Sequence, residues 1–212
     1  QVFVAATDTY NIKNVRRTVK ESMRDVAGVV AVATEAGIPV EGTISTAFGC
    51  PYEGDVAPER VVEVSRWIVD QGVTAISYAD TTGMGTPRRV RAVVQALKHE
   101  LPDVTINLHF HDTRGTGLAN VVTALDMGVD YFDASIGGMG GSPFATGATG
   151  NIATEDLVHM LGDMQIETGI NLDALLDAAR VALRLVDGEL PSKLLKAGPR
   201  WRRVADRVSE AG

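Results

Sequence analysis

One cysteine, Cys50, stands in a chain of 212 residues. That excludes an internal disulfide and any zinc cage built from cysteines, and it fits a reducing, cytoplasmic compartment. Basic residues are outnumbered, 20 Lys and Arg against 27 Asp and Glu, which leaves a net charge of -7. Non-specific nucleic-acid binding needs a basic surface to neutralise phosphates, so that class falls away, and an anionic ligand needs a local cluster of cations. No uninterrupted apolar run approaches the roughly 18 residues of a membrane helix, and no signal-peptide pattern opens the chain, so no membrane partner is expected. Low-complexity segments and sequence-level repeats are missing too. The first residue is Gln1 rather than Met, which suggests a processed or truncated product. What remains is an ordinary globular mix, 45% hydrophobic and 22% charged, long enough to bury one sizeable core.

The chain is organised around residues 104–151. Val104, Ile106, Leu108 and Phe110 alternate with Thr105, Asn107, His109 and His111, which predicts a strand with one apolar face and one polar face carrying both histidines. Imidazoles at i and i+2 point the same way, so both can reach one ion from a rigid element. A lone strand histidine is more often a hydrogen-bonded residue than a ligand. A His-x-His pair at a strand end, followed by Asp112 and by a glycine-rich loop ending in Asn151, favours a metal. Glycines over 137–150 let that loop fold over a ligand and move, as lids do.

Elsewhere the chain alternates strand with helix. Strands are predicted over residues 2–7, 38–46, 74–80 and 130–136. Glu41, Thr43 and Ser45 share one face of the second, and Tyr131, Asp133 and Ser135 one face of the last. The spacing of Val15, Val19, Met23, Val26, Val30 and Ala33 predicts one helix over 14–36, stopped at Gly37. Further helices are expected over 58–71, from Thr86-Pro87 to His99, and over 115–127, 153–161 and 172–185. Strands about 26 to 36 residues apart read as βαβ units, hence a parallel sheet with helices outside. Polar residues gather at the C-terminal ends of the strands, as at the catalytic face of a TIM (β/α)8 barrel, whereas an open doubly wound sheet buries apolar residues on both faces. The expected fold is therefore α/β, a TIM (β/α)8 barrel of which the chain supplies about the last five βα units. Residues 1–188 form this partial catalytic barrel, and 189–212 a basic C-terminal tail with Trp201 that packs on a partner or on the remaining barrel.

Four motifs carry a resemblance. His-x-His-Asp-Thr at 109–113, Gly-Gly-x-Gly-Gly-Ser-Pro-Phe-Ala-x-Gly-Ala-x-Gly-Asn at 137–151, Ala-Thr-Glu-Asp-Leu at 153–157 and Gly-Cys-Pro-Tyr-Glu-Gly at 49–54 together resemble the 3-hydroxy-3-methylglutaryl-CoA lyase family of the DRE-TIM metallolyases. The resemblance covers roughly residues 3–185 and enters at the family's fourth barrel strand. It implies that His109, His111 and Asn151 bind a divalent cation, Mg2+ or Mn2+, with Zn2+ also compatible. The family's remaining protein ligand, an aspartate beside an arginine on the first strand, has no counterpart in this sequence.

The implied reaction is retro-Claisen cleavage of a 3-hydroxyacyl-CoA to acetyl-CoA and a keto acid, with His109, Asp80 and the loop residue Ser142 catalytic. In the lyases a cysteine stands at that loop position, and a serine hydroxyl is a far weaker acid. Slow cleavage, a proton carried by His109 or water, another 3-hydroxyacyl-CoA as substrate, a non-catalytic member, and a merely small loop residue are all open readings. The related synthases show His-x-His-Asn-Asp, which His111-Asp112-Thr113 does not match. Asp80 either faces the substrate or caps a helix. Tyr52 and Glu53 line the acyl-CoA entrance or form a plain turn. Arg114 is the best placed cation for the CoA phosphates, with Lys13, Arg88 and Arg89 further candidates. Asp133 is expected to hold other groups by hydrogen bonds. Glu155 and Asp156 lie in a helix's first turn, where the dipole favours them, and are expected to support Asn151. His99 and His159 are expected at the surface, and the whole as a homodimer or other homo-oligomer.

Overall fold

Parallel pairing runs through the chain in order. In the computed structural model, which describes residues 1–144, 150–186 and 189–201, β1 (Val2–Ala5), β2 (Glu41–Ser45), β3 (Ala75–Asp80), β4 (Thr105–Phe110) and β5 (Tyr131–Asp133) form one five-stranded sheet in sequence order. Between them run α1 (Asp8–Val15) and α2 (Val19–Glu35), then α3 (Pro58–Val69), α4 (Pro87–Glu100) and α5 (Gly117–Asp126). The register sets Thr43 beside Ser77, Ser77 beside Asn107, Ala79 beside His109 and His109 beside Asp133. With a side-chain period of two, that register gathers the polar residues of successive strands on one face. The other face carries Ile44, Ile76, Tyr78, Leu108 and Phe110, all fully buried.

Contacts divide the chain into two units, residues 1–133 with 141–151 and residues 134–140 with 152 onward. The sheet and α1 to α5 belong to the first. There α3 lies so close to β2 that a Cβ built on Gly42 would stand 2.8 Å from Ile68 Cγ2. Gly42→Ala should therefore cost about 1–3 kcal/mol through overpacking. The check is a lower urea midpoint at an unchanged m-value.

Where the spacing predicts one helix over 14–36, the chain forms two. Arg16 takes the left-handed conformation at φ 59° and ends α1. Thr18 then starts α2 with a capping box: its Oγ1 accepts the Glu21 N–H at 3.2 Å, and Glu21 Oε2 accepts the Thr18 N–H at 2.8 Å. Val15 belongs to α1 and is 40% exposed, so it is no part of the buried stripe of α2. The last strand is also shorter than predicted. After Asp133 the chain leaves the sheet, Ser135 pairs with Ala153, and a 3-10 turn over Ile136–Gly138 follows with Gly137 at φ 66°.

The second unit holds that turn with α6 (Thr154–Asp163), α7 (Leu172–Leu185) and α8 (Lys193–Ala197). Glu155 is more than a dipole partner of α6: it is fully buried, and both its oxygens accept the Gly137 N–H at 3.0 Å. Asp156 accepts from Ser192 Oγ at 2.9 Å and from the N–H groups of Lys193 and Leu194 at 3.0 and 2.7 Å. These bonds tie the turn, α6 and α8 together. Trp201, at the end of the described residues, stacks on His159 with ring centroids 5.3 Å apart, so His159 is half-buried rather than a free surface residue. No helix among the described residues is long and apolar enough to cross a membrane.

Candidate active site

The end of β4 brings the predicted ligands together. The rings of His109 and His111 have centroids 5.4 Å apart. His111 pairs with Asn151 in an antiparallel bridge, and the Asp112 N–H donates to Gly150 O at 3.0 Å, which returns the glycine-rich loop to the same strand end. Asp133, the register neighbour of His109, has Oδ2 3.3 Å from His109 Nδ1. It also accepts from Ser77 Oγ at 2.9 Å and from Asn107 Nδ2 at 3.0 Å. The His109 bond above all, then Asn107 and Ser77, hold Asp133 below the ordinary carboxylate range against its burial. A carboxylate on one ring nitrogen fixes the tautomer and leaves the other for a ligand.

His111 is 5% exposed, and its Nδ1 has no hydrogen-bond partner. Burial, helped by the nearby His109, pushes its pKa down to about 4, so the ring is neutral at pH 7. A buried neutral imidazole with a bare nitrogen suits a metal ion. Among the described residues no three His, Cys, Asp or Glu side chains converge. What this strand end does gather is the two imidazoles, with Asn151 bridged to His111.

Asp80 ends β3 and is fully buried. Its Oδ1 accepts the N–H groups of Met84 and Gly85, both at 2.9 Å, while Oδ2 has no partner. It caps its own turn and no helix; Thr86 caps α4, its Oγ1 accepting the Arg89 N–H at 3.4 Å. Burial pushes its carboxyl up to about 7, against the two N–H donors, Arg114 and His109. Arg114 spends one nitrogen on Thr82 O at 2.7 Å and Gly83 O at 3.1 Å, so its guanidinium is tied to the tip after β3.

A third group gathers on α1, a helix the apolar spacing misses. Tyr10, in α1, lies with its phenol oxygen 2.7 Å from Ser142 Oγ, which also accepts the Phe144 N–H at 3.3 Å. The Tyr52 hydroxyl donates to Phe144 O. Lys13 Nζ stands 4.9 Å above the Tyr52 ring, and Glu53 Oε1 accepts the Thr9 N–H at 2.9 Å. Tyr52 and Glu53 therefore join α1 to the loop. Residues 145–149 of the loop motif lie outside the described residues. Of the other candidates, Arg89 pairs with Asp55, and His99 is exposed beside Glu100.

Residues 1–182 match the family model described as HMGL-like. The chain belongs to the HMGL-like family. It is 44% identical over 195 residues to the hydroxymethylglutaryl-CoA lyase YngG of Bacillus subtilis, covering 92% of this chain and 65% of that protein. To the mitochondrial hydroxymethylglutaryl-CoA lyase of Mus musculus it is 43% identical over 196 residues, covering 92% and 60%. The chain thus spans less than two thirds of the length of these curated relatives. Among solved structures, the Bacillus subtilis HMG-CoA lyase matches with a TM-score of 0.88 at 44% identity, over 92% of this chain and 65% of that one. An Acinetobacter baumannii HMG-CoA lyase in complex with coenzyme A and 3-methylmalate matches with a TM-score of 0.89 at 40% identity, over 95% and 66%. The fold is accordingly part of a TIM barrel, a run of five successive βα units within the DRE-TIM metallolyase superfamily. That superfamily implies a divalent metal ion, and the neutral ring of His111, with its Nδ1 unpartnered, fits one.

Proposed function

We propose that the protein carrying this chain is a divalent-metal-dependent carbon-carbon lyase that cleaves 3-hydroxy-3-methylglutaryl-CoA to acetyl-CoA and acetoacetate. The observation that carries this reading is the His109–His111 pair at the end of β4, braced by Asp133 and joined to Asn151. A bound Mg2+ or Mn2+ supplies charge that makes the substrate's hydroxyl proton easier to remove. His111 offers a neutral ring, His109 a ring oriented by Asp133, and Asn151 an amide oxygen. Asp80, with its carboxyl raised to about 7, takes or returns a proton near neutrality. The hydroxyl proton passes to the Asp80 carboxylate, the carbon-carbon bond breaks, its electrons pass to the thioester enolate, and that carbon takes a proton from Ser142, which regains one from water as Asp80 gives its own up to solvent, leaving acetyl-CoA and the ketone of acetoacetate. Lys13 and Arg114 lie beside the loop and the β3 tip, where they would favour an acyl-CoA's negative charge. A homodimer in the cytoplasm completes the reading; light scattering checks the assembly.

The test is acetyl-CoA release from 3-hydroxy-3-methylglutaryl-CoA. Chelation should lower turnover at least about a hundredfold, and Mg2+ or Mn2+ should restore it. Metal-independent turnover would sink the assignment. Ser142 at the position where the lyases carry cysteine favours a second reading, a sister lyase for another 3-hydroxyacyl-CoA. That reading gains if metal binds while neither the wild type nor Ser142→Cys cleaves this substrate.

A further inference from the structure

We propose that Tyr10 is the positioning residue for Ser142, donating its phenolic hydrogen to Ser142 Oγ so that the serine's own hydrogen is directed at a third group, the reacting carbon. This rests on the reading of Ser142 as the proton donor to the enolate.

The direction of the 2.7 Å bond follows from counting donors and acceptors. A hydroxyl has one hydrogen and two lone pairs. Ser142 Oγ already accepts the Phe144 N–H at 3.3 Å. Tyr10 is 1% exposed, and no other acceptor for its phenolic hydrogen is found among the described residues. If Ser142 donated to Tyr10, that hydrogen would be buried without a partner, a costly arrangement. If Tyr10 donates, both phenol and backbone hydrogens are satisfied, both serine lone pairs are used, and the serine hydrogen points away from both donors. Two donors on one oxygen also polarise its O–H bond, which offsets part of what serine lacks as an acid relative to a thiol.

The surroundings keep Tyr10 a donor. Burial raises its pKa above the ordinary tyrosine value; the bond to Ser142 opposes this, and Tyr52 and Cys50 add to it. Tyr52 lies with its ring 6.2 Å from that of Tyr10, Lys13 sits over Tyr52, and Cys50 is buried and accepts from Thr7 Oγ1 at 3.1 Å. These are the titratable groups that face the phenol. Tyr52 also holds Phe144 by its carbonyl, so the residue that gives Ser142 its second donor is itself fixed. Two tyrosines, from α1 and from the turn after Cys50, thereby set one serine hydroxyl.

The experiment uses Ser142→Cys in the full protein, where the new thiol reports on the donor. Its alkylation rate is followed against pH, with the wild type as the blank; Cys50, the cysteine of this sequence, is buried. A Tyr10 donor stabilises the thiolate, so adding Tyr10→Phe should shift the profile up by about one pH unit, a tenfold loss of thiolate. An unshifted profile overturns the proposal. In turnover, Tyr10→Phe in the Ser142 protein should lower kcat roughly tenfold with little change in KM, and in the Ser142→Cys background less than about twofold, because a thiol needs no such help. Equal losses in both backgrounds would mean simple packing and would also overturn it. If the wild type does not cleave the substrate, the lyase reading falls, and the alkylation profile still decides the role of Tyr10.

Discussion

His111→Ala should weaken divalent-metal binding at the proposed site and lower kcat/KM of the proposed cleavage by at least about a hundredfold. Losing a group that merely orients a ligand typically costs about 10–100-fold in affinity or activity, so losing the ligand itself belongs at or beyond the upper end. His111 is neutral at pH 7 because burial and His109 disfavour the imidazolium. Its Nδ1 is buried and bare, an arrangement with an energetic cost that a metal bond would repay. Asp133→Asn provides the graded control. It leaves both rings in place and weakens the acceptor for His109 Nδ1 together with those for Ser77 Oγ and Asn107 Nδ2, so it should cost about tenfold. Metal content by emission spectroscopy and titration calorimetry on the three proteins checks the order. Wild-type metal affinity in His111→Ala would show that the ion, if any, sits elsewhere.

Period-two alternation makes the strand faces legible in the amino-acid sequence, because Glu41, Asn107, His109 and Asp133 share a half-buried face where a hydrogen-bond network joins them. The same pattern cannot find α1. Its exposed residues include Ile12 and Val15, while the fully buried Asn11 accepts from the Ala5 N–H and donates to Arg17 O and Ser22 Oγ, so apolar spacing points the wrong way there. The Thr18-x-x-Glu21 pattern is the available signal for the break between helices. Missing α1 means missing Tyr10, whose partner is 132 residues away. Glu155 shows a similar limit. First-turn position explains an acidic residue cheaply, and nothing in the local sequence marks its bond to Gly137, 18 residues earlier. That the two histidines and Asn151 meet at one strand end is legible because a motif names them together.

Asp80→Asn should stabilise the metal-free protein at alkaline pH while lowering turnover, a trade of the kind expected where a strained group serves chemistry. The folded carboxyl titrates near 7, against an ordinary 3.8 in the unfolded chain. Below pH 3.8 both states hold the proton, and Asp80 adds no pH dependence. Between 3.8 and 7 the unfolded chain releases its proton while the folded one keeps it, so stability falls as pH rises; above 7 the loss is complete, roughly 4 kcal/mol at most. Asparagine carries no charge to bury and still offers Oδ1 to the Met84 and Gly85 N–H groups. Its amide would lie near Asn120, since a Cβ on Gly85 would meet both Asp80 Oδ2, at 2.7 Å, and Asn120 Nδ2, at 3.1 Å. His111 has the opposite sign. Its folded pKa of about 4 lies below the ordinary 6.5, so its contribution is full above 6.5 and is lost as pH falls toward 4. Over pH 4 to 6.5 the two slopes oppose each other, and the wild type should unfold at a nearly constant temperature. Asp80→Asn leaves the His111 slope alone, so its melting temperature should climb with pH across that window. A wild-type melting curve as steep as that of Asp80→Asn would mean that Asp80 is ionised in the folded chain and has no raised carboxyl to offer as a proton carrier.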